Sequence, residues 1–239
     1  MIMNETIRRP RAVSVAVGVA ILTALTMVGV AGCSALAGAT TTDLSAVMSS
    51  NGHSHNSAAS ESQEIGLYTA MSNLWAEHME WTYATVVAFV EDSPALEPNL
   101  NRLLQNQKDI GEAIKPFYGA DAGDQLTALL TEHINDAVPV LTAAKAGDSA
   151  ALGTAVEAWY ANAEAIGKFL AGANPNWSEA DMVDMMRTHI TQTVTYATDA
   201  LTGDYVKAVA DYGLAEEHMQ QMSNDLSAGI IAQFPKLFR

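Results

Sequence analysis

The chain has 239 residues, with 12 lysines and arginines against 27 aspartates and glutamates, and a formal net charge of −15 at pH 7. Binding to phosphate groups needs clustered cations, so this charge excludes nucleic acid and anionic lipid head groups as expected partners. A single cysteine cannot form a disulfide within the chain, and stability must therefore come from an ordinary hydrophobic core.

The N-terminal segment has the pattern of an export signal. Three arginines precede a long, uncharged and mostly apolar run over 12–32, and Cys33 follows directly. The junction reads VAGC and resembles the lipobox of bacterial lipoproteins. The resemblance implies that residues 1–32 are a signal peptide, that cleavage occurs before Cys33, and that Cys33 carries a diacylglycerol. The protein would then be extracytoplasmic and anchored to the cell membrane through this lipid.

The same apolar run allows a second interpretation. Its 21 residues are long enough to span a bilayer, so the segment could remain as an uncleaved membrane anchor. The paired Arg8 and Arg9 leave both general secretion and twin-arginine export open as routes.

Residues 33–62 are rich in Ser, Thr, Ala, Gly and Asn and contain few large apolar side chains. Such a segment cannot bury enough surface to fold, so we predict a flexible tether between the membrane and a folded domain. It contains His53 and His55, and two histidines in a mobile segment hold Zn²⁺ or Cu²⁺ only weakly.

The region 63–239 has helical periodicity and no convincing strand alternation. Proline, glycine and capping residues mark the ends of six predicted helices. These helices cover 64–91, 98–118, 121–146, 149–172, 178–202 and 204–233. Short loops make neighbouring helices antiparallel, so the sequence predicts an all-α, up-and-down bundle built as three tandem helical hairpins. Pro139 is expected to kink the third helix, because proline removes a backbone hydrogen bond.

Three of the six histidines recur at one position of the three hairpins: His78, His133 and His189. The intervals between them are 55 and 56 residues, which is one hairpin each. Each histidine also precedes an aspartate at a hairpin turn by 14 or 15 residues, which places all three at one height in the bundle. Because each lies on the apolar face of its helix, we expect all three to point inward.

Polar residues on the returning helices are expected to extend this layer. Residues at equal height in an antiparallel hairpin have a nearly constant index sum, which identifies the partners of the three histidines. These partners are Asn106 or Asp109 in the first hairpin, Asn162 in the second and His218 in the third.

A sulfur-rich patch is predicted beside the layer, formed by Met182, Met185, Met186, Met219 and Met222. Thioethers favour Cu(I), and Met185, Met219 and Met222 are the candidate soft ligands. Methionine also fills irregular gaps in cores, and we favour this plainer interpretation.

The layer allows three interpretations. Three neutral imidazoles with a carboxylate or water suit Zn²⁺, and added thioethers shift the preference toward Cu. A purely structural layer would instead satisfy the imidazoles through Asn106, Asp109 and Asn162. The third interpretation is an organic ligand between the helices. The sequence contains no Glu-x-x-His motif, no nucleophile motif and no phosphate-binding glycine loop, so we expect no enzymatic activity.

Several stretches, among them LWAEHMEWT, RLLQNQKDI, LLTEHI and WYANAEAI, resemble a group of uncharacterised bacterial helical proteins. The resemblance covers nearly the whole region after the tether and implies an all-helical fold without a known activity. His78, His133 and His189 fit the pattern of that group, whereas His218 and the HSH of the tether do not.

The sequence therefore predicts a lipid-anchored extracytoplasmic helical protein that binds a metal ion, Zn or Cu, or a small ligand at the histidine layer. The candidate ligand residues are His78, His133, His189 and His218. The alternative is a non-catalytic structural or protein-interaction module of the cell surface whose polar layer only holds the helices in register. The sequence identifies no protein partner.

Overall fold

The described part of the chain folds into six α-helices and contains no β-strand. The computed structural model describes the backbone of residues 44–239 and the side chains from residue 60 onward. The helices are Leu44–Val90 (α1), Leu96–Tyr118 (α2), Ala120–Ala146 (α3), Ser149–Ala173 (α4), Glu179–Leu201 (α5) and Tyr205–Gln233 (α6). The predicted all-α class is confirmed, and the predicted ends of α2 to α6 agree with the structure within two residues.

The first helix begins earlier than predicted. It starts at Leu44, twenty residues before the predicted start, and so includes residues 44–62 of the segment predicted as a flexible tether. This stretch contains no proline. Once the packed part of α1 has formed, each added residue closes a further backbone hydrogen bond without a new nucleation cost. Composition alone did not show this continuation.

The predictions for residues 1–43, including the signal peptide and the lipidation of Cys33, lie outside the described residues. The side chains of His53 and His55 also lie outside them. Of the helices described, none combines the length and the apolar character needed to cross a membrane.

Side-chain caps begin the last three helices. The side chains of Asp148, Ser178 and Asp204 each accept a hydrogen bond from the backbone N–H three residues later, at 3.0 to 3.1 Å. Gly147 and Gly203 stand directly before two of these caps with φ of 68° and 82°, a conformation that ends a helix and favours glycine. These are the turn signals from which the helix ends were predicted. The helix α3 continues through Pro139, which is exposed.

Each helix packs against the next one along the chain, and α6 packs back against α1, which closes a ring. The helix α5 also contacts both α1 and α3. The three helices that carry the recurring histidines therefore meet in the middle of the bundle. This arrangement confirms the prediction of three tandem hairpins.

The two ends of the bundle are packed differently. We call the end with the three hairpin loops the turn end; these loops are 91–95, 147–148 and 202–204. At the opposite end, which we call the glycine end, helices approach each other at backbone distance. A Cβ atom on Gly111 of α2 would lie 2.6 Å from the Gly123 carbonyl oxygen of α3, and one on Gly167 of α4 would lie 2.8 Å from the Val183 nitrogen of α5. Only glycine permits such an approach.

Candidate ligand site at the histidine cluster

Three imidazole rings meet in the centre of the bundle, one each from α1, α3 and α5: His78, His133 and His189. Their exposed fractions are 2%, 1% and 2%. The Nε2 atoms of His78 and His189 lie 3.5 Å apart, and the His133 ring stacks on the His189 ring with 5.6 Å between their centroids. The predicted convergence is confirmed, and we call these three residues the histidine cluster.

The same hydrogen bond joins the two helices of each hairpin beside the cluster. In each hairpin, a side chain of the returning helix donates to the backbone carbonyl four residues before the cluster histidine. The three bonds are Asn106 Nδ2 to Leu74 O (2.9 Å), Asn162 Nδ2 to Leu129 O (3.1 Å) and His218 Nε2 to Met185 O (3.0 Å). The internal repeat seen in the sequence spacing therefore extends to the hydrogen bonds that hold each hairpin in register.

Two of the predicted layer residues occupy other roles. His218 is half-buried and its Nε2 bonds to a backbone carbonyl, so it takes the place that Asn106 and Asn162 have in the other hairpins. Asp109 is half-exposed and accepts a hydrogen bond from Gln105 on its own helix at 2.9 Å. The structure thus brings three histidines together, with His189 in contact with both of the others, and leaves Asp109 outside the cluster.

Gln107 is the residue that contacts His78, although the index sum pointed only to the interval between Asn106 and Asp109. Its Nε2 lies 3.2 Å from His78 Nδ1 and 2.8 Å from the Leu103 carbonyl oxygen. The carbonyl can only accept, so the Gln107 nitrogen, which also lies 3.2 Å from Asn106 Oδ1, faces His78. An amide nitrogen cannot accept a hydrogen bond, so this contact favours a lone pair on His78 Nδ1. The one sequence signal for Gln107 is its place between Leu103 and Ile110 at helical spacing, and the polar layer was predicted without it.

The contact with Gln107 favours one set of proton positions in two rings. Because His78 Nδ1 accepts, the hydrogen of the neutral ring is on Nε2 and points toward Nε2 of His189. The hydrogen of His189 is then on its Nδ1. That Nδ1 has no hydrogen-bond partner among the residues with described side chains.

His133 meets two neighbours at one ring nitrogen. Asn162 uses its Nδ2 on a backbone carbonyl, so its Oδ1 faces His133 Nδ1 at 2.9 Å, which favours a hydrogen on that nitrogen. Trp159 Nε1 donates to the same nitrogen at 3.1 Å, which favours a lone pair there, so the two neighbours favour opposite tautomers of His133. Nε2 of His133 has no partner within the described part of the protein.

The cluster is uncharged at neutral pH. Burial, and next the proximity of His133, lowers the pKa of His78 to about 3. Burial lowers the pKa of His133 to about 4. Burial and the neighbouring His78 hold the pKa of His189 well below its ordinary value of 6.5. Desolvation disfavours the charged imidazolium, so the rings act as neutral donors and acceptors.

A cavity of about 160 Å³ begins at the histidine cluster and extends toward the turn end. Trp159 lines its inner part together with the cluster, whereas Phe89, Leu96, Leu100 and Val138 line its outer part. Val138 is 46% exposed, so the cavity lies close to the surface there. Apolar cavities of this size stay dry and bind molecules as large as benzene.

The candidate methionines lie away from this cavity. Met219 and Met222 are fully buried in the hydrophobic core, and Met185 is half-buried with its carbonyl bonded to His218. Met186 and Met222 line a second cavity of only about 20 Å³, which is on the side toward the glycine end. Their observed surroundings are those of core residues.

Within residues 60–239, no group of three or more His, Cys, Asp or Glu side chains has the arrangement of a metal site. The predicted Zn or Cu at the histidine layer stays a prediction, which the experiments below test. Comparison of the chain with protein-family models, curated proteins and solved structures gives no match. The geometry of the cluster and its cavity is therefore what supports a function.

Proposed function

We propose that this protein is a lipid-anchored extracytoplasmic binding protein that holds one small, largely apolar organic molecule in the cavity beside the histidine cluster. The observation that carries this proposal is an apolar cavity of about 160 Å³ whose inner end is formed by neutral, buried histidines. The cavity has room for one aromatic ring or a short branched chain. Ligand sites of this kind are mostly apolar and carry a few placed polar groups.

The unfilled space and the unpaired polar atoms both argue against a purely structural role for the histidine layer. Protein interiors are normally packed without voids of this size. Each buried ring nitrogen that lacks a partner costs about 1–3 kcal/mol, and the described residues leave one such atom on His133 and one on His189. A layer that served only helix register would gain stability from apolar residues at these positions. A ligand that fills the cavity removes the first of these costs.

A metal ion is the second candidate, and one distance favours it. The 3.5 Å between Nε2 of His78 and Nε2 of His189 is close to the roughly 3.4 Å between two nitrogen ligands of a tetrahedral Zn²⁺. Metal binding requires a lone pair on both Nε2 atoms, so His78 would carry its hydrogen on Nδ1. There it would meet the N–H of Gln107, which favours the opposite tautomer. The organic ligand is therefore the better-supported proposal.

The cavity proposal is tested by adding toluene to the full-length protein, purified without a histidine tag, and measuring its melting temperature. A ligand that binds only the native state raises this temperature by mass action. The variant Ala137→Phe places a ring in the cavity, and it should lose the response to toluene while remaining folded. Ala128→Phe is the matched control, because Ala128 is exposed on the same helix, and it should keep the response.

Equal melting temperatures of the wild-type protein with and without saturating toluene would contradict the organic-ligand proposal. Stoichiometric Zn or Cu in the purified protein, lost in His78→Leu, would support the metal candidate instead. The absence of both effects would leave the layer with a structural role.

The membrane anchor is proposed from the VAGC junction and has its own test. Cys33→Ala removes the sulfur that would carry the lipid, so the variant should leave the membrane fraction or accumulate as an uncleaved precursor. Cys33→Ala protein that is processed normally and stays in the membrane fraction would contradict lipidation at this residue.

A further inference from the structure

We infer that Lys145 is a latch that holds the outer end of the cavity closed and controls how fast a ligand enters and leaves. The inference rests on the proposed function and adds to it how access to the site is regulated. It follows from the contacts that Lys145 makes between two helices of the cavity wall. It also follows from the turn of the first hairpin, which differs from the other two.

The outer wall of the cavity includes helices that are not consecutive in the chain. Phe89, in the last turn of α1, and Val138 of α3 both belong to this wall. The helices α1 and α2 are joined by the loop 91–95 and by a hydrogen bond from Asn99 Nδ2 to the Ala84 carbonyl oxygen at 3.0 Å. The whole of α2 separates α1 from α3 along the chain, so these two helices need a separate link at the turn end.

Lys145, in the last turn of α3, supplies that link. Its Nζ atom donates to the Phe89 carbonyl oxygen at 2.8 Å and to the Val90 carbonyl oxygen at 3.3 Å, and it lies 4.9 Å from the centre of the Phe89 ring. The carboxylate of Asp92 accepts a third hydrogen bond, at 2.7 Å. A cation is favourable at the C-terminal end of a helix, where the last carbonyl groups lack partners. Lys145 therefore ties α3 to the end of α1 and contacts the wall residue Phe89 through both its backbone and its ring.

The turn of the first hairpin departs from the repeat at this latch. The other two turns have a glycine with positive φ, Gly147 at 68° and Gly203 at 82°, whereas the first has Asp92 at 51°. A residue with a Cβ atom adopts this conformation at an energetic cost, although Asp tolerates it better than most. Glycine avoids the cost but has no carboxylate to accept a bond from Lys145. The first turn is also the one beside the cavity, since Phe89 lies three residues before Asp92.

The latch consists of exposed charges, so it opens readily. The side chain of Asp92 is 85% exposed and that of Lys145 is 32% exposed. Ion pairs at the surface are weak and are screened by salt. Lys145 does not line the cavity, so it holds the wall without touching a bound ligand. Opening the latch should therefore accelerate entry and exit together and leave the affinity nearly unchanged.

The test measures how fast 4-fluorotoluene leaves the full-length protein, by ¹⁹F exchange NMR. Lys145→Met keeps an apolar side chain of similar length and removes the ammonium group, so the dissociation rate should rise about fivefold to tenfold. The dissociation constant should stay within a factor of about three, because entry is accelerated as well. Lys168→Met is the matched control, since Lys168 is exposed on α4 and does not line the cavity, and it should keep the wild-type rates.

Two further measurements separate the latch from a general loss of stability. Asp92→Asn removes only the charge of the carboxylate, and Asn also adopts a positive φ, so the fold should be retained while the dissociation rate rises. Raising the salt concentration from about 0.1 M to about 1 M shortens the screening length from about 10 Å to about 3 Å. The dissociation rate of the wild-type protein should therefore rise with salt, and that of Lys145→Met should not.

Equal dissociation rates in the wild-type protein, Lys145→Met and Asp92→Asn would overturn the latch and leave the cavity proposal intact. A weaker affinity of Lys145→Met with an unchanged association rate would overturn it as well, because Lys145 would then support the bound ligand and not its passage. If 4-fluorotoluene fails to bind the wild-type protein, the proposed function itself fails, and the latch fails with it.

Discussion

The glycine end and the turn end are built from the same six helices, yet one has no room for a methyl group and the other contains a cavity. At the glycine end, α2 and α3 meet through Gly111 and Gly123, where an added Cβ would lie 2.6 Å from a backbone oxygen. At the turn end, the larger side chains of Leu100 and Val138 line a space of about 160 Å³. The same six helices are therefore packed more closely at the glycine end than at the turn end.

The histidine cluster lies between these two regions, and its position explains its properties. On the side toward the glycine end it is sealed by closely packed core, which removes water and keeps the rings neutral. On the other side it forms the inner wall of the cavity. The cluster therefore separates a closely packed half of the core from the half that contains the cavity.

The largest expected effect is a loss of the protein's stability in acid, caused by the buried histidines of this middle layer. The histidine pKa values are near 6.5 in the unfolded chain and lowered in the native protein, to about 3 for His78 and about 4 for His133. Below pH 6.5 the unfolded chain binds more protons than the native protein does. The contribution of the buried histidines to the free energy of unfolding should therefore be complete above pH 6.5 and fall as the pH is lowered. The loss between pH 7 and pH 5 is about 2 kcal/mol for His78 and about 2 kcal/mol for His133, and His189 adds a loss in the same direction.

Urea denaturation at pH 7 and pH 5 measures this loss, and His133→Leu supplies the control. The variant has one buried histidine fewer, so its loss between the two pH values should be about 2 kcal/mol smaller. An identical pH dependence in both proteins would show that His133 is not a buried neutral group.

The next largest effect is expected at the glycine end. Gly111→Ala places a methyl group against the Gly123 carbonyl, which is backbone and cannot rotate away, so we expect a destabilisation of about 2–4 kcal/mol. Gly153→Ala is the matched control, since Gly153 is also helical but has nothing within 4 Å of the added Cβ, and it should gain up to about 1 kcal/mol. Equal shifts of the two urea midpoints would mean that the glycine end is not closely packed.

The smallest effect on stability is expected when a small side chain is enlarged at the turn end. Ala137→Leu adds apolar volume to the cavity wall, and it should leave stability unchanged or raise it by about 1 kcal/mol. A loss as large as that of Gly111→Ala, measured by the same urea titration, would contradict the difference between the two ends.

Most of this fold could be predicted from the sequence, but only part of the site could. Helix ends could be predicted because caps such as Asp148 and Ser178 act locally, and the height of the cluster followed from equal spacing to the turns. Gln107 could not be selected over Asn106 and Asp109, because the index sum is uncertain by more than one residue. A shift of one residue along a helix already rotates the side chain by about 100°. The role of His218 also became visible only through its bond to Met185.

The cavity is the feature that no local pattern indicates. It is lined by side chains from five helices, α1 to α5, which are far apart in the sequence. The early start of α1 at Leu44 was missed for a related reason. Composition describes whether a segment can fold alone, whereas this segment continues a helix that is already packed.

The most direct test of the central claim is an NMR measurement of the histidine ring signals with and without toluene. Ring ¹⁵N shifts also report which nitrogen carries the hydrogen, and the contact with Gln107 predicts a hydrogen on Nε2 of His78. Toluene should shift the ring signals of the cluster histidines, which line the cavity, while leaving those of His218 in place. Unchanged cluster signals at saturating toluene would contradict a ligand site at the histidine cluster.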